Sequence, residues 1–239
     1  PDASAADAAP DAAPDAAVDA PAGPDSAPDA VAVPLAGFGD LSGLCGILEV
    51  ADLTGPTPEL FRDTLTFQRR YVDPDDRPLL TPGGLHLAET PNAGGSSGFS
   101  EIFAYEELAR CELATFLKTE TEIVYDTAGK ITDLEVEIDG HKIGVSVTRA
   151  VAFPFGDPYT LTTASALLTK KLGDIQLSTA NVSAADKWDK QILAVLAWDD
   201  QAADTIEQAW TALDPSVKAD TIVIVTSTAG DDLFIYTNQ

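Results

Sequence analysis

An α/β fold, a mixed β-sheet flanked by helices, is what this 239-residue sequence predicts. Three observations carry that expectation. From residue 101 onward, segments with apolar residues every three or four positions alternate with strand-like runs, as when helices cover the faces of a sheet. Asp139-Gly140 separates two strictly alternating stretches and is the strongest hairpin signal in the chain. "QILAVLAW" and "DTIVIVT" are short continuous apolar runs, the pattern of strands covered on both faces.

Residues 1–34 repeat Ala, Asp and Pro ("DAAPDAA") with almost no large apolar side chain. Such a segment buries too little surface to offset the entropy of ordering, so it reads as a disordered tether. Residues 35–99 read as an N-terminal extension packed on the core. They hold an apolar stretch "LCGILEVADL", a stretch "TPELFRDTLTFQRRYV" read as a helix then a strand, and two glycine-rich loops, "TPGG" and "NAGGSSG". Neither loop has the spacing of a P-loop or a dinucleotide fingerprint. Residues 100–239 form the main domain. Ile102, Tyr105, Ala109, Leu113 and Phe116 recur at helical spacing and predict a helix over 101–118, followed by a first strand in "TEIVYD".

"ITDLEVEI" and "KIGVSVTR" then pair across the Asp139-Gly140 turn, with Ile138 facing His141, Val136 facing Ile143 and Leu134 facing Val145. All the apolar residues fall on one face, which supports this register, since a slip of one residue would mix them. Continued outward, the register sets Asp133 opposite Ser146, with Thr148 two residues further on the same side. Next come a helix in "TTASALLTKKLGDI", a strand in "QILAVLAW", and a helix in "DQAADTIEQAWTAL" capped by Asp199 or Asp200 and closed by Pro215. The chain ends in a strand "DTIVIVT" that "DDLFIYT" is expected to pair with as a hairpin across "AGD".

The formal net charge is −25, and the first 40 residues supply eight aspartates and no Lys or Arg, which leaves −17 on residues 41–239. Acidity of this extent disfavours tight nucleic-acid binding, whose affinity comes mainly from Lys and Arg displacing counterions. Two histidines, His86 and His141, and two cysteines, Cys45 and Cys111, exclude a zinc site built from four N or S ligands at close spacing. Carboxylates suited to Mg²⁺ are plentiful. No apolar run approaches the roughly 20 residues of a membrane span. With no methionine and a Pro-Asp-Ala start, the chain is expected to follow a removed or omitted segment. If it is exported, Cys45 and Cys111 are expected to bridge.

Helix, strand, hairpin, helix, strand, with an aspartate at the start of the second strand and a residue-x-residue pair on the third, resembles the core of the PD-(D/E)XK nuclease-like (restriction-endonuclease-like) superfamily. "DGHKIGVSVTRAV", "LLTKKLGDIQLSTANVS" and "WDKQILAVLAW" resemble a poorly characterised branch of it, over roughly residues 100–237. The resemblance implies a metal-dependent nuclease site. It implies metal ligands at Asp133 and at an acid on the first helix, Glu107 or alternatively Glu101. The second metal-binding acid falls on Ser146 and the water-polarising lysine on Thr148; Lys171 or Lys170 from the next helix is the implied substitute, and Gln176 is implied to position substrate. Arg149 is a phosphate-binding group or a salt-bridge partner.

The implied catalytic set is therefore Asp133, Glu107, Ser146 and Lys171, with Mg²⁺ as cofactor. Serine offers at most a neutral oxygen, so the site is expected to be degenerate. The Ala/Asp/Pro segment resembles the tethers of bacterial surface lipoproteins, which implies an exported, lipid-anchored protein. The alternative is a non-catalytic envelope or surface protein using the same fold.

Overall fold

A computed structural model describes residues 33–35, 37–43, 45–90 and 98–237; the tether expected over 1–34 lies outside them up to residue 32, and the "NAGGSSG" loop lies outside them except for Gly98. Among the described residues the strands are β1 (Val33–Leu35), β2 (Gly39–Gly43), β3 (Glu59–Phe67), β4 (Thr115–Thr119), β5 (Leu134–Ile138), β6 (His141–Ala150), β7 (Lys190–Ala197) and β8 (Ile222–Gly230). They form one sheet in the order β1-β2-β3-β8-β7-β6-β5-β4. β3, β8, β7 and β6 are mutually parallel, and antiparallel strands flank them on both sides.

The helices are α1 (Val50–Thr54), α2 (Pro82–Glu89), α3 (Gly98–Cys111), α4 (Leu161–Asn181), α5 (Asp200–Ala212), α6 (Pro215–Lys218) and α7 (Leu233–Thr237). The mixed α/β architecture expected from the sequence is present, with helix, strand, hairpin, helix, strand in order from α3 to β7.

Alternation along each strand sorts the core into two layers. Ile192 and Ala194 of β7, with Val136, Ile138, Ile143, Val145 and Ile224, pack against Ala104, Tyr105 and Leu108 of α3. Leu193 and Val195 of the same strand face α4 and α5 through Leu168, Leu172, Ala203 and Ile206. Covering both faces explains why β7 is apolar from Ile192 to Ala197 and wholly buried. A third cluster closes the β1–β3 side, where Phe103 meets Phe38, Phe67, Tyr71 and Phe234 edge-on at 5.1–5.8 Å.

The hairpin register is as expected, with Ile138↔His141, Val136↔Ile143 and Leu134↔Val145 paired. Asp139 (φ 49°) and Gly140 (φ 80°) both take the left-handed conformation that a two-residue turn of this kind requires. Asp199 caps α5 through the Ala202 amide at 2.8 Å.

Four local expectations are corrected. The helix expected over 101–118 ends at Cys111. The chain reverses through Leu113 (φ 53°), and Phe116 belongs to β4. "TEIVYD" is a loop with a single bridge, Tyr125 to Val182. Glu122 folds back onto the Thr119 amide (2.9 Å), and the Val124 amide donates to Asp186 (2.7 Å), so that side chains take the bonds a strand neighbour would. "TPELFRDTLTFQRRYV" contributes one nine-residue strand and no helix, because pairing with β8 on one side and β2 on the other overrides its helical pattern. "DDLFIYT" forms α7, not a returning strand. Gly230 (φ 83°) turns the chain, and an apolar run of that length suits a buried helix as well as a strand.

Cys45 and Cys111 form a disulfide. Beside it the Glu112 carboxylate accepts the amides of Gly46 (2.9 Å) and Leu48 (3.2 Å), so the segment entering α1 is tied to the end of α3 twice.

Candidate functional site

Asp133 precedes β5 where β6 runs on beyond its hairpin partner. Its amide donates to the Val145 carbonyl (3.1 Å) and its Oδ2 accepts the Val147 amide (2.5 Å), so it brackets Ser146 through the backbone. Lys171 of α4 donates to the Val147 carbonyl (3.0 Å), so the ammonium and the Asp133 carboxyl bond to the same backbone residue. Burial pushes the Asp133 carboxyl up from its ordinary value, while Lys171 and the Val147 amide pull it down.

Asp133 shares a cavity of about 30 Å³ with Glu101 of α3 and Glu120, which follows β4; Leu87, Thr90, Gly98 and Thr119 complete the lining. Glu101 is buried and also acts electrostatically on Arg149. Arg149 donates to the carbonyls of Ile235 (2.9 Å) and Tyr236 (3.3 Å), so it anchors α7; burial lowers its pKa and Tyr236 and Glu101 raise it.

Glu107 is elsewhere. It accepts the Thr226 hydroxyl (2.6 Å) on β8 and meets the Asp63 carboxyl of β3. β8 lies three strands from β5, about 14 Å at the usual strand spacing. Helix geometry gives the reason: six residues turn a helix by 600°, which leaves Glu101 and Glu107 about 120° apart around its axis. The acid that α3 brings to Asp133 is Glu101.

Ser146 faces the α4 side. Its hydroxyl bonds to Thr132 Oγ1 (2.9 Å), which donates to Gln191 Oε1 (3.3 Å), and Gln191 Nε2 donates to Ser178 Oγ (2.9 Å) and Thr179 Oγ1 (2.7 Å). The expectation that Ser146 sits side by side with the Asp133 carboxyl is corrected: only its backbone neighbours meet that group. Thr148 is half-buried on β6. Lys170 pairs with Asp174 (2.8 Å). Gln176 donates to the Ser216 and Val217 carbonyls (3.4 and 3.1 Å) and holds α6, so its amide is committed to structure.

No family model matches the chain. It is 40% identical over 153 residues to the AAC-rich mRNA clone AAC4 protein of Dictyostelium discoideum, a match covering 62% of this chain and 22% of that protein. The chain thus spans about a fifth of that relative's length. Among solved structures it has a distant likeness to SfsA of Pyrococcus furiosus in complex with Ca²⁺, at 14% identity and a TM-score of 0.30, covering 54% of this chain and 55% of that one.

Among the described residues, no group of three or more His, Cys, Asp or Glu side chains is placed to hold a metal ion. The donor chemistry agrees: the position implied for the second acid carries a serine whose hydroxyl is already bonded within the core. The residues present therefore do not fit a Mg²⁺ site of the implied kind.

Sequence reasoning missed Glu120, Thr132, Gln191 and Asp63. Asp63 alternates with Leu65 and Phe67 in "RDTLTF", and Gln191 stands at the entry to an apolar run, so each is a polar residue on a core-facing position. Glu120 carries no such signal, because its place depends on where β4 ends.

Proposed function

We propose that this chain is an exported protein that uses a nuclease-like α/β fold as a non-catalytic binding module, with the fold's acidic niche retained in incomplete form. The observation that carries the reading is the state of Ser146, which stands where an acid is implied and is bonded to Thr132 within the core. Phosphodiester hydrolysis of the nuclease kind needs carboxylates that hold a cation, which activates water and offsets charge on the phosphate. A neutral serine turned into the core supplies none of this. The net charge of −25 further opposes a nucleic-acid partner.

Export is supported by the Cys45–Cys111 disulfide, since such bonds persist in oxidising compartments. A lipid anchor upstream of the Ala/Asp/Pro segment belongs to the same proposal, which requires the full gene product to carry a signal that ends in a cysteine. No described helix is long and apolar enough to cross a membrane.

A second reading, Mg²⁺-dependent phosphodiester hydrolysis at a weakened site, is favoured by one observation: Glu101, Glu120 and Asp133 line one cavity, with Lys171 held beside Asp133. Nucleic-acid cleavage by the purified chain with Mg²⁺ or Mn²⁺, beside Asp133→Asn and Lys171→Ala, separates the two. The binding-module reading expects no difference between the three proteins. Metal-dependent cleavage abolished by either substitution would establish the enzyme instead.

A further inference from the structure

A cleft of about 550 Å³ lies between α2, α3 and β4, within the size range of small-molecule sites. It is distinct from the Asp133 niche and uses none of its residues. Gly83, at the second position of α2, leaves room for its neighbours: a Cβ there would come within 2.5 Å of the Tyr105 phenol and of the Phe116 Cβ, so the Tyr105 ring and the start of the Phe116 side chain approach the helix backbone closely. Phe116 lies 5.3 Å from the Tyr105 ring, edge-on, and 5.3 Å from the His86 ring, which makes an aromatic wall of three rings.

The one carboxylate among the lining residues is Glu122. Its Oε2 accepts the Thr119 amide (2.9 Å) and hydroxyl (3.1 Å), and its Oε1 is approached by His86 Nε2 at 3.4 Å, long for a hydrogen bond. Those Thr119 bonds, led by the backbone amide, hold the Glu122 carboxyl below its ordinary pKa, so it is charged at neutral pH. Neither Lys nor Arg is among the described residues lining the cleft.

β4 is an edge strand, and an open edge invites a peptide to add as a further strand. Here the ladder slips at Leu117, between Phe116↔Val136 and Lys118↔Glu135, and a bulge of this kind twists an edge away from such pairing. The bulged Leu117 itself lines the cleft.

We propose that this cleft binds a small organic cation, an ammonium or guanidinium on a flat or aliphatic body, with Glu122 as counter-ion and the Phe116–Tyr105–His86 wall as the surface its body lies on. The charge of the lining and the rings select the ligand together: aromatic faces attract cations, and the Glu122 Oε1, which His86 Nε2 approaches only at 3.4 Å, has room for a closer charged donor. The proposal holds whether or not the Asp133 niche is catalytic.

The test is calorimetric titration of the full chain with agmatine, with spermidine, with an arginine-containing tripeptide amide, and with benzoate as an anionic control of similar bulk. Saturable binding of at least one cation, none of benzoate, and an affinity loss of at least about tenfold in Glu122→Gln are expected. Glu122→Gln keeps an oxygen for the Thr119 bonds, and Thr115→Trp, placed on an exposed residue of β4, fills the cleft from outside and should abolish binding. Binding confined to the tripeptide, with the same dependence on Glu122, supports the same site with a polypeptide side chain as the occupant. Absence of saturable cation binding, or equal binding by wild type, Glu122→Gln and Thr115→Trp while all three show the same thermal unfolding, overturns the proposal.

Discussion

Glu107 and Asp63 are two buried carboxyls in contact, and a hydrogen bond between them requires a proton on one. Burial raises the Glu107 pKa well above 4.5, the nearby Asp63 charge raises it further, and the Thr226 hydroxyl opposes the shift. A carboxyl whose folded pKa exceeds its unfolded value gives stability that is complete below the unfolded pKa and is lost as pH rises through the folded one. Glu107→Gln keeps an acceptor for Thr226 and donates permanently to Asp63. It should therefore unfold at a higher temperature than wild type near pH 8, by about 1–2 kcal/mol of stability, with the advantage shrinking toward about pH 5. Thermal unfolding across that range checks it; equal pH slopes for the two proteins would mean that Glu107 carries no proton.

At the scale of the element, the β5–β6 hairpin shows what a sequence discloses. Its turn, register and buried face were legible because Asp139-Gly140 and strict alternation are local signals, and the structure has that register. The cross-strand pair Glu135↔Gly144 carries a constraint that no local pattern shows. A Cβ on Gly144 would lie 2.8 Å from Trp188 Cδ2, and that indole is buried with its Nε1 bonded to Thr179 (3.0 Å). Gly144→Ala should cost about 1–3 kcal/mol by overpacking and red-shift Trp188 emission as the ring is displaced. Wild-type stability in the variant would show that the indole yields without cost.

The elements misread share one cause. "DDLFIYT", "TEIVYD" and the end of α3 are decided by contacts distant in sequence: Arg149 on the carbonyls ending α7, Asp186 on the Val124 amide, and Cys45 on Cys111. The candidate site divided in the same way. Asp133, just before β5, and Lys171 of α4 were singled out through the resemblance, and they stand beside the same β6 residue, Val147, the one on its amide and the other on its carbonyl. The choice between Glu101 and Glu107 needed the facing of α3: Glu101 stands one helical turn before Ala104 and Tyr105, which pack on the β5–β6 side, whereas Glu107 stands one turn after Phe103, which packs toward β3.

Over the whole molecule, one sheet joins residues 33–67 to the core, because β3 lies parallel to β8 along nine residue pairs. The disulfide closes a separation of 66 residues between the start of that region and α3, which by loop entropy contributes about 4 kcal/mol. A frame covered on both faces and tied at one edge can keep its shape while its acidic niche changes. On the proposed reading such a frame carries an acidic niche with an incomplete donor set, with Ser146 and Thr148 on β6 and Glu101, Glu120 and Asp133 around a cavity of about 30 Å³.

That central claim is tested most directly by titrating the purified chain with Mn²⁺ and following paramagnetic broadening of the Asp133 and Val147 amide signals, beside Asp133→Asn. The account predicts no saturable broadening at these amides at millimolar Mn²⁺ and no difference between the two proteins. Saturable broadening at micromolar Mn²⁺, lost in Asp133→Asn, would contradict it and make the niche a working metal site.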